Sequence, residues 1–229
     1  MRLMTMLAAQ PTPKLLTHLA GDPSAAETLV FVHGWPDDQR VWTPLLSCAD
    51  GDMLSQSRCV LVELPRADGA DWEAEDLSFP RLAFLLAETI RSEAGRPVTL
   101  VGHDWGCQIV AMVLRDYPDL VKRVVLMDVG VQPRNFLASP WLAFRGLSIL
   151  SYFCVNIAIH FLGLVKPLRF LADAINARWI SLLCKAASPS FSMDDRPTSS
   201  SLNYFYAYAS APCAPCAPAG SRASRRNVH

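Results

Sequence analysis

Residues 98–106 read Val98-Thr99-Leu100-Val101-Gly102-His103-Asp104-Trp105-Gly106, and this stretch decides the fold. The β-branched apolar run from Val98 to Val101 has the composition of a buried strand, and Gly106 to Tyr117 continues with helical period. Gly-x-Asp-x-Gly between a strand and a helix is a turn that presents its middle residue as a nucleophile. Small glycines at both ends permit the tight turn, the middle side chain is lifted above the sheet, and the following N–H is left free to donate. The helix opening at Gly106 directs its positive end at Asp104 and stabilises a carboxylate there. An ionised aspartate so placed can attack an electrophilic carbon and form an ester.

The same grammar repeats on either side. Glu27 to His33, Cys59 to Leu64 and Val124 to Asp128 are short apolar runs with strand composition, separated by helical periods at Arg40 to Ser47 and Phe79 to Glu93. Apolar strands alternating with amphipathic helices predict an α/β fold with a mostly parallel sheet flanked by helices, because parallel neighbours need crossover connections. After Gly130 the pattern changes. Residues 146–165 contain no Asp, Glu, Lys or Arg and are flanked by Arg145 and by Lys166 and Arg169. That length of about 20 residues meets the minimum for a membrane span. The polar Ser148, Ser151, Asn156 and His160 favour a buried helix of a cap over a span, with membrane contact through 146–165 as the second expectation. Phe170 to Ala187 reads as another apolar-faced helix. From Ala209 onward, Ala-Ser-Pro-Cys-Arg low complexity cannot build a core and is expected to be disordered. The expected organisation is thus 1–130 as the N-terminal part of the α/β core, 131–208 as a helical cap region and 209–229 as a tail.

The chain has 229 residues, 51% of them hydrophobic, enough for one sizeable core. Lys+Arg and Asp+Glu each number 21, which removes the electrostatic argument for a nucleic-acid partner. The neutrality conceals a split, with 11 basic and 18 acidic residues in 1–130 but 10 basic and 3 acidic in 131–229. Seven cysteines at scattered spacing form no disulfide framework and point to a reducing compartment, so the expected location is cytoplasmic with membrane association as an alternative. The apolar N-terminal run is too brief, and too soon broken by Pro11 and Pro13, for a secretory signal. Cys213-x-x-Cys216 is a lone pair where zinc needs four ligands, so no metal is expected.

His33-Gly34-Trp35-Pro36 follows the strand about seventy residues before the Asp104 turn. Together, His-Gly-x-Pro and Gly-His-Asp-x-Gly resemble the α/β-hydrolase fold family, and within it the epoxide hydrolases, over residues 15–135, with a weaker similarity in the cap. The resemblance implies Asp104 as nucleophile and the backbone N–H groups of Trp35 and Trp105 as the oxyanion hole, each donor worth about 3 kcal/mol to a tetrahedral intermediate. It implies no cofactor, since Asp-ester chemistry needs only water, and a small hydrophobic substrate. His33 and His103 are expected to be scaffold rather than bases. Haloalkane dehalogenases share the aspartate turn and resemble the chain at Trp105. Their second halide-holding side chain follows His-Gly and is commonly Asn, whereas here it is Trp35, so the epoxide reading is favoured.

Cap tyrosines protonate the opening oxygen in epoxide hydrolases, and Ser201-Leu202-Asn203-Tyr204-Phe205-Tyr206 resembles their Asn-Tyr-rich cap segment. Tyr204 and Tyr206 are the candidate acids and Tyr152 a further one, although for each taken singly packing at a helix edge outweighs catalysis. Asp128 is either the triad acid of dehalogenase-like relatives or an ordinary strand-end turn residue. The family's base is a histidine after the last strand. His18, His33, His103, His160 and His229 do not fit that place, so the chain is expected to stop before the last two strands and to be impaired or non-catalytic, a truncated product or a membrane-associated interaction protein. Leu64-Pro65-Arg66-Ala67-Asp68-Gly69 departs from the family's loop after its strand, which puts the pocket's geometry in question.

Overall fold

In a computed structural model, the described residues are 13–48, 54, 56–65, 72, 77–128, 140–187 and 203, with side chains of the last two helices described from 150 to 183. Five strands form one sheet: β1 (Leu16–Gly21), β2 (Thr28–Val32), β3 (Arg58–Glu63), β4 (Val98–His103) and β5 (Val121–Met127). The order is β1-β3-β2-β4-β5, with β1 antiparallel to β3 and the remaining neighbours parallel. Helices α1 (Thr43–Cys48), α2 (Phe79–Glu93) and α3 (Trp105–Asp116) lie between them in sequence, and α4 (Pro140–Leu164) and α5 (Arg169–Ala187) follow. The sheet is therefore mixed only at its first strand, and the α/β-hydrolase fold read from the sequence stands.

The uninterrupted apolar character of the central strands follows from burial on both faces. Val30, Val32, Val60, Val62 and Leu100 point to one side and pack with Leu82, Leu85, Leu86 and Ile90 of α2 and Ile109, Val110 and Val113 of α3. Leu29, Phe31, Cys59, Leu61 and Val101 point to the other and pack around Trp42, in the short 3-10 turn that leads into α1. Phe31 and Trp42 meet with ring centroids 5.1 Å apart. Three alternations side by side fix the register, since a slip of one residue exchanges the faces of a whole strand.

Strand β1 was not among the expected elements. Leu16 and Leu19, on opposite faces of it, are 69% and 58% exposed, so neither face carries an apolar-polar alternation to read. Strand β5 begins three residues earlier than its apolar run, at Val121, because backbone pairing with β4 extends through Lys122 and Arg123. There Lys122 Nζ and the Arg123 guanidinium both reach Glu27, an exposed cluster.

Helix α4 runs through the stretch for which a cap helix and a span were both expected. Among the described residues no single helix is long and apolar enough to cross a membrane; α4 and α5 form a pair bent by 116° at Val165. Asn156, Ile159 and His160 of α4 and Ala172, Asn176 and Ile180 of α5 are buried. Ile180 belongs to the main core, with Tyr152, Phe153 and Ile157 packed against it, so the helical pair docks on the α/β layer. The low-complexity tail lies outside the described residues.

Leu86 is fully buried between α2 and the sheet. Leu86→Ala is expected to lower the unfolding free energy by about 2–5 kcal/mol in urea titrations, whereas Leu16→Ala at an exposed position of β1 should stay within about 0.5 kcal/mol of the parent.

Candidate active site

The turn between β4 and α3 places Asp104 at φ 50° and ψ −123°, a conformation that costs a non-glycine residue about 1–3 kcal/mol. Three interactions hold it there. The Asp104 N–H donates to the Met127 carbonyl at the end of β5 (3.1 Å), the Cys107 N–H donates to the Asp104 carbonyl (2.9 Å), and the Cys107 thiol donates to the same Met127 carbonyl (3.2 Å). The ends of two parallel strands thus brace the turn from below, and α3 begins at Trp105, one residue before the expected Gly106.

The loop after β2 meets this turn from the other side. The Trp35 N–H donates to Asp104 Oδ2 at 2.8 Å across 69 residues of sequence. Such an approach leaves no room at Gly34, where a Cβ would lie 2.6 Å from the Trp105 nitrogen and 2.7 Å from Asp104 Cβ. At Gly106 a Cβ would come 2.6 Å from the His33 carbonyl, so both glycines are required by backbone packing. His33 organises this loop. Its Nε2 accepts from the Leu64 N–H (3.0 Å), its Nδ1 lies 3.0 Å from the Gly34 carbonyl, and the ring is buried. An imidazole that accepts at Nε2 is neutral and occupied, a structural part of the loop.

Burial pushes the Asp104 carboxyl above the usual carboxylate range, while the N–H groups of Trp105 and Trp35 and the neighbouring His103 pull it back down; the charge of Asp128 adds a small upward push. Both N–H groups singled out in the sequence as oxyanion donors therefore converge on the side chain they flank. Asp128 ends β5 with φ 58° and its side chain is exposed.

Aromatic side chains of α2, α4 and α5 cluster around the two tryptophans. Tyr152 of α4 meets Trp35 edge-on at 5.9 Å and Trp179 of α5 at 6.2 Å, while Phe153 meets Trp105 at 5.8 Å and Phe79 lies 5.3 Å from Trp105. Tyr204 and Tyr206 lie outside the described residues. Asn203 is described, and it carries a contact not anticipated from sequence. The Trp35 indole N–H donates to Asn203 Oδ1 (2.8 Å), and Asn203 Nδ2 donates to Asn176 Oδ1 of α5 (2.9 Å). Both asparagines are 0% exposed. One residue, Trp35, thus binds Asp104 through its backbone and, by way of Asn203, α5 through its side chain. The available signal was an asparagine inside an apolar helix, Asn176, for which only a buried partner justifies the desolvation.

Among the described residues no group of three His, Cys, Asp or Glu side chains is placed to hold a metal ion. His18 sits on β1 beside Glu63 (3.7 Å), His103 packs edge-on against Trp42 (6.2 Å) and His160 is buried in α4.

Residues 29–225 match the pattern of the alpha/beta hydrolase family. The chain belongs to that family. It is similar to epoxide hydrolase srdG of Neurospora crassa, 28% identical over 122 residues that make up 50% of this chain and 34% of that protein. By structure it resembles the epoxide hydrolase CorEH (TM-score 0.55, 18% identity, 86% of this chain and 64% of the other). It also resembles VrEH1 from Vigna radiata (TM-score 0.55, 20% identity, 85% and 68%). The chain spans about a third of the curated relative and about two thirds of these structures.

Two outcomes follow from the geometry of this alpha/beta hydrolase. Asn203→Ala leaves the buried indole N–H of Trp35 and the Asn176 oxygen to lose partners, and urea unfolding should show a loss of about 1–3 kcal/mol. The raised Asp104 carboxyl means that folding favours its neutral form. Ionised Asp104 weakens the fold at neutral pH, and the cost vanishes once the unfolded chain is also protonated, below about pH 4. Asp104→Asn, neutral throughout, should melt above the parent at pH 7, with the gap closing as pH falls.

Proposed function

We propose that this chain opens small hydrophobic epoxides by forming an alkyl ester on Asp104. The observation that carries the proposal is the Asp104 carboxylate, held at 2.8 Å by the Trp35 N–H at the tip of the strand-helix turn, with α4 aromatics against Trp35 and Trp105. A carboxylate oxygen attacks one ring carbon, that C–O bond breaks, and the oxygen leaving the carbon takes a proton from a cap tyrosine. Tyr152 stands against Trp35, and Tyr204 and Tyr206 follow Asn203 in sequence. Water then attacks the ester carbonyl. The tetrahedral oxyanion draws on the Trp35 and Trp105 N–H groups, at about 3 kcal/mol for each donor, and collapse releases the diol and restores Asp104.

The second step needs a base. His33 is occupied by the Leu64 N–H, His18 lies beside Glu63 on the edge strand, and His103 faces Trp42. His160 is buried in α4, so among the described residues no histidine is placed as that base and the proposed chemistry is ester formation with slow release or none. Asp128 remains the candidate triad acid by its place at the end of β5. The haloalkane alternative is weakened by the Trp35 indole N–H, which is already donated to Asn203 and so is not offered to a halide.

Incubation with styrene oxide followed by peptide mass mapping tests this reading. The expected result is one adduct of the epoxide's mass on the peptide that contains Asp104, persisting for hours, forming faster as pH rises through the elevated Asp104 titration, and absent in Asp104→Ala. A parent chain that stays unmodified, with the fold intact, makes the protein a non-catalytic member of the family.

A further inference from the structure

The apex of the cap, where α4 turns into α5, has an apolar surface. Phe161, Leu164, Val165, Leu168, Phe170 and Leu171 are all exposed there, Phe170 at 87%. The chain bends by 116° at this point, so these side chains gather at one protruding corner instead of spreading along a helix face. Lys166 and Arg169 are exposed among them. Water-soluble surfaces rarely assemble so many large apolar groups in one patch without a partner.

Charge identifies the partner. Lys166 and Arg169 stand at the bend itself, and between Asp128 and Asp173 the sequence contains no acidic residue. An apolar corner with a basic collar suits an anionic bilayer surface, where Phe and Leu side chains enter the headgroup-acyl boundary to a depth of about 5–10 Å and the cations stay with the phosphates. A second copy fits less well, because a two-fold contact at this corner sets Lys166 and Arg169 against their own counterparts. No single described helix can cross a bilayer, so the contact is interfacial.

We propose that the α4–α5 apex, Phe161 to Leu171, docks this chain on anionic lipid surfaces. The proposal does not depend on chemistry at Asp104.

Sedimentation of the full chain with vesicles of phosphatidylcholine, and of phosphatidylcholine mixed with phosphatidylserine, tests it. The chain should pellet with the mixed vesicles, less with phosphatidylcholine alone, and less as salt is raised. Phe170→Asp should reduce binding at least ten-fold and Lys166→Gln about five-fold, the effect of one cation at an anionic surface. Circular dichroism should be unchanged, because both positions are on the surface. As a second measurement, Phe170→Trp should gain fluorescence that brominated lipid quenches. Absence of binding to either vesicle, or equal binding of Phe170→Asp and the parent, overturns the proposal. So does light scattering that finds a dimer lost in Phe170→Asp without any vesicle binding, which would assign the corner to a second copy.

Discussion

The bond from the Trp35 N–H to Asp104 Oδ2 joins two loops that the chain separates by 69 residues, and the rest of the site is arranged to permit it. The loops can meet only because β2 and β4 are adjacent parallel strands whose carboxyl ends lie side by side, with Phe31 opposite Val101 and Val32 opposite Gly102. They can approach this closely only because Gly34 and Gly106 present backbone where a Cβ would collide with Trp105 and with the β2 carbonyls. The strained dihedrals of Asp104 are sustained by bonds that have nothing to do with substrate, chiefly those to the Met127 carbonyl. A central sheet buried on both faces supplies the rigidity to hold that strain, since β2 and β3 have no exposed side along which to relax.

A consequence is that α5 and Asp104 are not separable parts. Trp35 reaches Asp104 through its backbone and Asn203 through its indole, and Asn203 is itself fixed by Asn176 on α5. Trp35, Asn203 and Asn176 are buried and Asp104 is half-buried, so the bonds among the first three are costly to leave unmade. Displacement of α5 therefore pulls on Trp35, whose N–H is one of the two backbone donors that favour the ionised form of Asp104. The carboxyl is caught between burial, which favours its neutral form, and two N–H donors, which favour its ion.

Much of this was legible in the sequence, and the parts that were not have physical reasons. Val98 to Gly106 fixes a strand, a turn and a helix because β-branched residues, glycines and a helical period coincide there, and the helix of Phe79–Glu93 was legible to the residue from its apolar period. The edge strand β1 was illegible because an edge needs only backbone pairing, and Leu16 and Leu19 are exposed on opposite faces. The extension of β5 through Lys122 and Arg123 was hidden in the same way, by exposed side chains on a paired backbone. The asparagine series escaped notice because Trp35, Asn176 and Asn203 are brought together by the docking of the cap, a long-range event with no local period. What sequence could offer was only the improbability of asparagine within apolar helices.

The charge split along the chain also acquires a structural meaning. The acidic first part forms the sheet and its helices, where Glu27 and Glu93 take up Lys122, Arg123 and Arg58 as local ion pairs. The basic remainder is built on α4 and α5, which bury Asn156, Asn176 and Ile180 and carry Phe161, Leu164 and Phe170 into solvent near the bend between them. A helical pair that is apolar on both sides has two surfaces to satisfy, and the α/β layer covers only one. The same two helices therefore position Trp35 on their inner side and demand a low-polarity neighbour on their outer side. On the inner side, Asn176 and Asn203 join α5 to Trp35 and so to Asp104.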